Sequence, residues 1–152
     1  MDKYLELLKE FVGFRTVSTD SKFKADMDKC VEWIRELFTS HGFEFESIEG
    51  YGNPIIITSK IIDPSLKTVL IYGHYDVQPA DKSDGWTSEP YELRSENGRL
   101  YARGVVDNKG EVLVHITTVF ELLEKNSLKY NIKFIIEGDE ETGSPDVLRF
   151  MN

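Results

Sequence analysis

The sequence predicts an α/β fold, a layered α/β/α domain built on a mixed sheet. Two amphipathic helical stretches open the chain. Short, nearly continuous apolar runs at 68–72 and 131–136 then read as buried strands. The order helix, helix, strands, helix, strand, helix is that of layered α/β domains.

Residues Met1 to Phe14 place Leu5, Leu8, Phe11 and Val12 on one helical face. Arg15 to Ser21 is a polar break. A second helix spans Lys24 to Ser40, with Met27, Val31, Ile34, Leu37 and Phe38 as its apolar stripe and Gly42 as its stop. His41 lies in the last turn, where a positive group is favoured, and reads as structural. Phe43 to Ile48 and Asn53 to Ile62 read as strands around Gly50-Tyr51-Gly52. Thr68 to Tyr72 suits a strand covered on both faces. Asp81 to Glu89 is a polar loop containing Trp86. Tyr91 to Arg94 and Arg99 to Arg103 flank the hairpin turn Glu96-Asn97-Gly98. Asn108 to Lys125 is a helix with Val112, Ile116, Val119, Leu122 and Leu123 inward. Asn131 to Ile136 is a buried strand. Ser144 and Pro145 open a last helix as N-cap and first residue.

The 152 residues suffice for one ordinary domain. There are 18 basic and 27 acidic residues, a formal net charge of −9. That excess disfavours nucleic acid and anionic membrane as partners, since both need a basic surface. No stretch is apolar enough to span a bilayer. The charges at Asp2, Lys3, Glu6, Lys9 and Glu10 exclude a signal-peptide core. Cys30 is the single cysteine, so no internal disulfide forms, and it reads as a small buried hydrophobe. A reducing, cytoplasmic location is the default expectation.

Three places hold groups that suit a metal-assisted hydrolytic site, each just after an apolar stretch, where open α/β folds place ligands. His74 and Asp76 are two apart and share a face of a strand. His74 as a ligand with Asp76 orienting its ring fits the usual pairing of a ligating imidazole with a carboxylate. A capping His and an exposed Asp is an equally open reading of that pair alone. Asp107 stands where a strand hands over to a helix, and an N-cap role is the simpler reading of it alone. Glu140 and Glu141 share a short turn with Glu137 and Asp139, either as a solvated acidic turn or as metal ligand and general base side by side. His115, two turns into its helix, reads as structural. Lys109 and Arg103 are candidates to balance the acidic cleft. The sequence has no His-Glu-x-x-His, Walker loop or Gly-x-Ser-x-Gly elbow. The Asp81 loop fails as an EF-hand, because Lys82 and Tyr91 fall at ligand positions.

Taken in order, Gly73-His74-Tyr75-Asp76-Val77-Gln78-Pro79, Trp86 to Pro90, Gly98 to Gly104, Asp107-Asn108-Lys109-Gly110 and Glu140-Glu141-Thr142-Gly143-Ser144 resemble a known family. It is that of the two-zinc dipeptidases, carboxypeptidases and amino-acid deacylases, and the wording is nearest to the carnosinase and cytosolic non-specific dipeptidase branch. The similarity covers essentially the whole chain. It implies a zinc-exopeptidase-like fold and two zinc ions, with cobalt or manganese as substitutes. It also implies a dipeptide or acyl-amino-acid substrate, and a homodimer for the intact parent. Under it, His74 ligates one zinc, Asp107 bridges both, Glu141 ligates the other, Glu140 is the general base and Asp76 orients His74. The family's remaining ligands, an Asp beyond the Glu-Glu pair and a His near its C-terminus, have no counterpart before Asn152. Its lid domain has none either.

The resemblance therefore implies that 1–152 is the N-terminal part of a catalytic metallohydrolase domain. The lid or dimerisation domain and the C-terminal part of the catalytic domain are absent. Alone, this part would bind zinc weakly, hydrolyse little, and self-associate through a bare sheet edge. The alternative functions are an N-acyl amino acid deacylase and a non-catalytic remnant or binding module.

Overall fold

A computed structural model describes residues 2–151. Four helices are α1 (Asp2–Gly13), α2 (Lys24–Thr39), α3 (Lys109–Glu124) and α4 (Pro145–Met151). The strands are β1 (Glu44–Ile48), β2 (Ile55–Lys60), β3 (Thr68–His74), β4 (Arg94–Glu96), β5 (Arg99–Tyr101) and β6 (Asn131–Glu137). The main sheet runs β1-β2-β6-β3, and β4 and β5 form a separate hairpin. β1, β2 and β6 pair antiparallel, whereas β3 runs parallel to β6, so the sheet is mixed. Its parallel pair is joined through α3, as a parallel connection requires. No helix among the described residues is long and apolar enough to cross a membrane.

One face of the sheet carries the core. Ile132, Phe134 and Ile136 of β6 and Ile56 of β2 are buried against Leu8, Phe11 and Val12 of α1, Met27, Ile34 and Phe38 of α2, and Val112, Leu113 and Ile116 of α3. Phe38 makes edge contacts to Phe43, Phe120 and Phe134. Gly73 lets α3 approach β3, because a Cβ there would stand 2.7 Å from Val112 Cγ2. His41 is structural, as its position indicates: its ring stacks on Phe120 at 3.7 Å and its Nδ1 meets the Leu37 carbonyl oxygen. Cys30 is buried, and burial pushes its thiol up to about 12, so it stays protonated and inert.

The expectation that Thr68–Tyr72 is covered on both faces is corrected. β3 is an edge strand, and Leu70 and Tyr72 are 59% and 51% exposed. They lie on the sheet face shared with Lys133 and Ile135, opposite the face the helices cover. Ser144 is also not a conventional N-cap. Its backbone sits at φ 53° and its hydroxyl donates to Glu137 Oε1 at 2.7 Å. Nor does Lys109 reach the acidic cleft. It is fully buried and donates to the carbonyl oxygens of Phe11 (2.9 Å) and Phe14 (2.7 Å), at the end of α1. A cation is favoured at a helix C-terminus, while burial draws its ammonium down to about 8.

Lys109→Ala is expected to lower stability by about 2–4 kcal/mol, since it leaves two buried carbonyl groups unpaired and a cavity behind; urea unfolding measures this. The open edge of β3 has no charged residue between Thr68 and His74, the usual protection against edge pairing. Size exclusion with light scattering is expected to show concentration-dependent self-association that Leu70→Lys reduces.

Candidate active site

β3 and β6 run parallel in a register that sets His74 opposite Glu137. The segments following both strands therefore leave the same end of the sheet. α3 begins there too, so the 74–78 segment, the 103–108 loop and the 138–144 turn converge.

His74 is the centre of this convergence, with 4% of its surface exposed. Its Nδ1 lies 3.2 Å from Asp76 Oδ1 and 3.1 Å from the Asp76 carbonyl oxygen. Its Nε2 lies 3.0 Å from Asp107 Oδ1 and 3.8 Å from Glu140 Oε2. Burial pulls the imidazole toward the neutral form. Hydrogen bonds to Asp76 and Asp107 and the charge of Glu140 more than offset that, and raise its pKa to about 9. The imidazole therefore carries a proton on each nitrogen at neutral pH.

Asp76 is fully buried, and His74 is not its only partner. It accepts from the Ser18 hydroxyl at 2.8 Å and from the backbone N–H groups of Glu140 (3.2 Å) and Glu141 (3.1 Å). Its carboxylate thus holds the glutamate turn against the His74 segment. Asp107 is not the N-cap of α3. Asn108 occupies that position, and its side-chain oxygen accepts from the His74 N–H at 3.2 Å. The Asp107 carboxylate is 68% exposed and reaches His74 instead. The Asp107–Asn108 peptide is cis.

The acidic turn divides by partner. Glu137 is buried and accepts from Tyr72 and Ser144. Asp139 accepts from the backbone and side-chain N–H groups of Asn53 at 2.7 and 2.6 Å. Glu141 is held by Gln78, whose N–H and Nε2 lie 3.2 and 2.9 Å from its two oxygens. Glu140 is the one turned toward the imidazole. Ser18, Gln78 and Asn108 were not singled out from sequence. Gln78 and Asn108 are embedded in the motifs, whereas nothing in the sequence marks Ser18.

His115 is exposed on α3, and no bond or ion pair among the described residues links it to the site.

The donor set suits a divalent cation in chemistry, an imidazole nitrogen with carboxylate oxygens. Two donors each about 2.0–2.1 Å from zinc can stand 3.0 Å apart, the separation of His74 Nε2 and Asp107 Oδ1. Among the described residues no three such side chains close into a complete metal-binding group, since Glu141 is turned to Gln78.

A mixed-sheet α/β domain that gathers an imidazole and carboxylates at the ends of parallel strands has the architecture of the metallopeptidases. The chain belongs to Peptidase family M20/M25/M40, whose model matches residues 70–151. It is 39% identical to the Beta-Ala-His dipeptidase of Homo sapiens, over 94% of this chain and 31% of that protein. It is 33% identical to the Cys-Gly metallodipeptidase of Schizosaccharomyces pombe, over 94% of this chain and 33% of that protein. The structure of human carnosine dipeptidase 1 superposes with a TM-score of 0.91 at 35% identity, covering 98% of this chain and 34% of that one. An M20 family metallo-carboxypeptidase from Sulfolobus solfataricus gives 0.89 at 32% identity, covering 99% of this chain and 34% of that one. The chain thus spans about a third of the length of the relatives it matches.

The raised pKa of His74 sets a pH dependence for the metal-free chain. A proton bound more tightly in the folded state stabilises it below the unfolded value near 6.5. That contribution is lost as pH rises from about 6.5 through about 9. With a chelator present, the stability advantage over His74→Gln is expected to shrink across that window; denaturant unfolding at intervals from pH 6 to 10 measures it.

Proposed function

We propose that this chain carries part of the active site of a metal-dependent hydrolase that cleaves the amide bond of dipeptides or short peptides. The observation that carries the reading is His74, buried and fixed by Asp76 on one nitrogen while its other nitrogen faces Asp107 and Glu140. The names of the similar proteins, Beta-Ala-His dipeptidase and Cys-Gly metallodipeptidase, support a dipeptide as substrate. A succinyl-diaminopimelate desuccinylase of Rickettsia canadensis is 29% identical, which leaves deacylation the weaker alternative.

In this reading His74, Asp107 and Glu141 are the ligands this chain offers, and zinc suits their nitrogen and oxygen donors. The cation supplies Lewis acidity toward the amide carbonyl and makes a water easier to deprotonate. Asp76 holds the His74 ring so that Nε2 points outward, and the Asp76–Nδ1 bond keeps that nitrogen as the donor. Release of the Nε2 proton frees the lone pair that a ligand needs. Glu140, 42% exposed and beside the imidazole, takes the proton of the attacking water and returns it to the leaving amine. Glu141 reaches the site by leaving Gln78, whose two N–H groups otherwise balance its charge.

Two substitutions in the intact protein separate the roles. Glu140→Gln is expected to lower kcat for a dipeptide by about 10²–10⁴-fold with zinc content unchanged. His74→Ala is expected to lower zinc content itself. Retained turnover in the first variant removes Glu140 as the base, and unchanged zinc stoichiometry in the second removes His74 as a ligand.

A further inference from the structure

A depression of 240 Å³ lies beside Asp107, lined by residues that include Trp86, Leu100, Arg103 and Val106. It is too small for a whole dipeptide, against the roughly 300–1,000 Å³ of a typical ligand pocket. It is large enough for one terminal group of such a molecule. Asp107, which lines it, is the residue that meets His74, so the depression adjoins the site described above.

Arg103 is its notable member. Its guanidinium stands 5.7 Å from the centre of the Trp86 ring, within cation–π range. Its Nε is buried without a hydrogen-bond partner. Among the described residues no carboxylate pairs with it. Arg94 Nε is buried and unpartnered too, but Arg94 pairs with Glu96 through Nη2, and Arg35 and Arg149 pair with Glu32 and Asp146. Arg15 and Arg99 also lack such a partner, but they are exposed and satisfied by solvent. A half-buried guanidinium with no paired carboxylate among the described residues is a ready partner for an anion. A planar fork braced on an aromatic ring matches a carboxylate, which takes two parallel N–H bonds.

We propose that this depression is a carboxylate-binding subsite in which Arg103, braced by Trp86, recognises a carboxylate of the substrate. The inference rests on the reading of the adjoining His74–Asp107 cluster as the active site. Arg103 is here a specificity residue: it binds the ligand's charge and takes no proton. Leu100 and the exposed Val106 border the carboxylate with apolar surface, which suits a short aliphatic linkage between that carboxylate and the scissile bond.

Trp86 is its own reporter. The chain has two tryptophans, and Trp33 stacks on Phe11 in the helical core. In a Trp33→Phe background, Trp86 emission is titrated with three probes: N-acetylglycine, N-acetylglycinamide and N-acetylaspartic acid α-amide. The expected result is a saturable change with at least one of the two acids. The uncharged amide binds at least about tenfold more weakly, as loss of a charge-assisted pair implies. A response to N-acetylglycine points to a peptide α-carboxylate, and one to the aspartate derivative points to an acidic side chain. Arg103→Gln is expected to abolish the difference between acid and amide, and Arg103→Lys to keep part of it. Equal responses to acids and amide, no response to either acid, or unchanged discrimination in Arg103→Gln overturns the subsite. Should Arg103→Gln fail to fold by circular dichroism, the acid-against-amide comparison in the parent background decides. Dipeptide hydrolysis by the intact protein is scored separately. Binding that discriminates without turnover sinks the hydrolase reading and spares the subsite. Turnover without discrimination does the reverse.

Discussion

The buried carboxylate of Asp76 is the constraint on which the site depends. A charge removed from water costs several kcal/mol unless hydrogen bonds and an opposite charge replace its solvation. Here the replacements come from three separate segments: Ser18 ahead of α2, His74 at the end of β3, and the amides of Glu140 and Glu141 after β6. None of these segments can shift without stranding the carboxylate. The neighbouring backbone follows suit. Thr16 accepts from the Val77 N–H at 2.9 Å, and its hydroxyl donates to the Tyr75 carbonyl oxygen at 2.5 Å. One desolvated acid thereby sets the relation between the imidazole and the two glutamates.

A second buried ion sets the other half. Asp107 meets His74 only because α3 starts where it does, and Lys109 fixes that start. Its ammonium closes the carbonyl groups that α1 leaves open at its C-terminus, tying the first turn of α3 to the end of α1. Gly73 then removes the side chain that would hold α3 away from β3. Gly110 does the same against the backbone of Val105, so the 103–108 loop folds tightly over the helix start. Core packing and site geometry are thus the same set of contacts here. Changes at Lys109 or Gly73 act on the site through the position of Asp107.

Much of this was legible in the sequence because it is local. Helical stripes such as Met27, Ile34 and Phe38, the apolar run of β6, and the placement of His74, Asp107 and Glu140 after apolar runs depend on periodicity and strand ends, which sequence expresses directly. What was not legible depends on partners distant along the chain. The Thr68–Tyr72 run has the composition of a doubly covered strand, yet it forms the edge. Composition reports apolarity, not which neighbours are present to cover it. Lys109 carries a charge that looks suited to the acidic cleft, and only the packing of α1 against α3 shows that it points inward. The acid-rich turn was ambiguous for the same reason. Glu137 and Asp139 are indistinguishable in sequence from Glu140 and Glu141 until Tyr72, Ser144 and Asn53 are seen to occupy them.

The electrostatics of that turn bear on why a cation suits the site. With its pKa raised to about 9, the imidazole of His74 has carboxylates on both of its sides to offset: Asp76 behind, Asp107 and Glu140 in front. Removing the Nε2 proton leaves a neutral ring facing two carboxylates that now repel each other with nothing between them. In the proposed role, His74, Asp107 and Glu141 would hold a divalent cation in place of that proton, and the cation would supply Lewis acidity. On that reading metal and proton would compete for one place at Nε2. The Asp76 bond to Nδ1 serves both states, because it holds the ring in the same orientation whether Nε2 carries a proton or donates its lone pair.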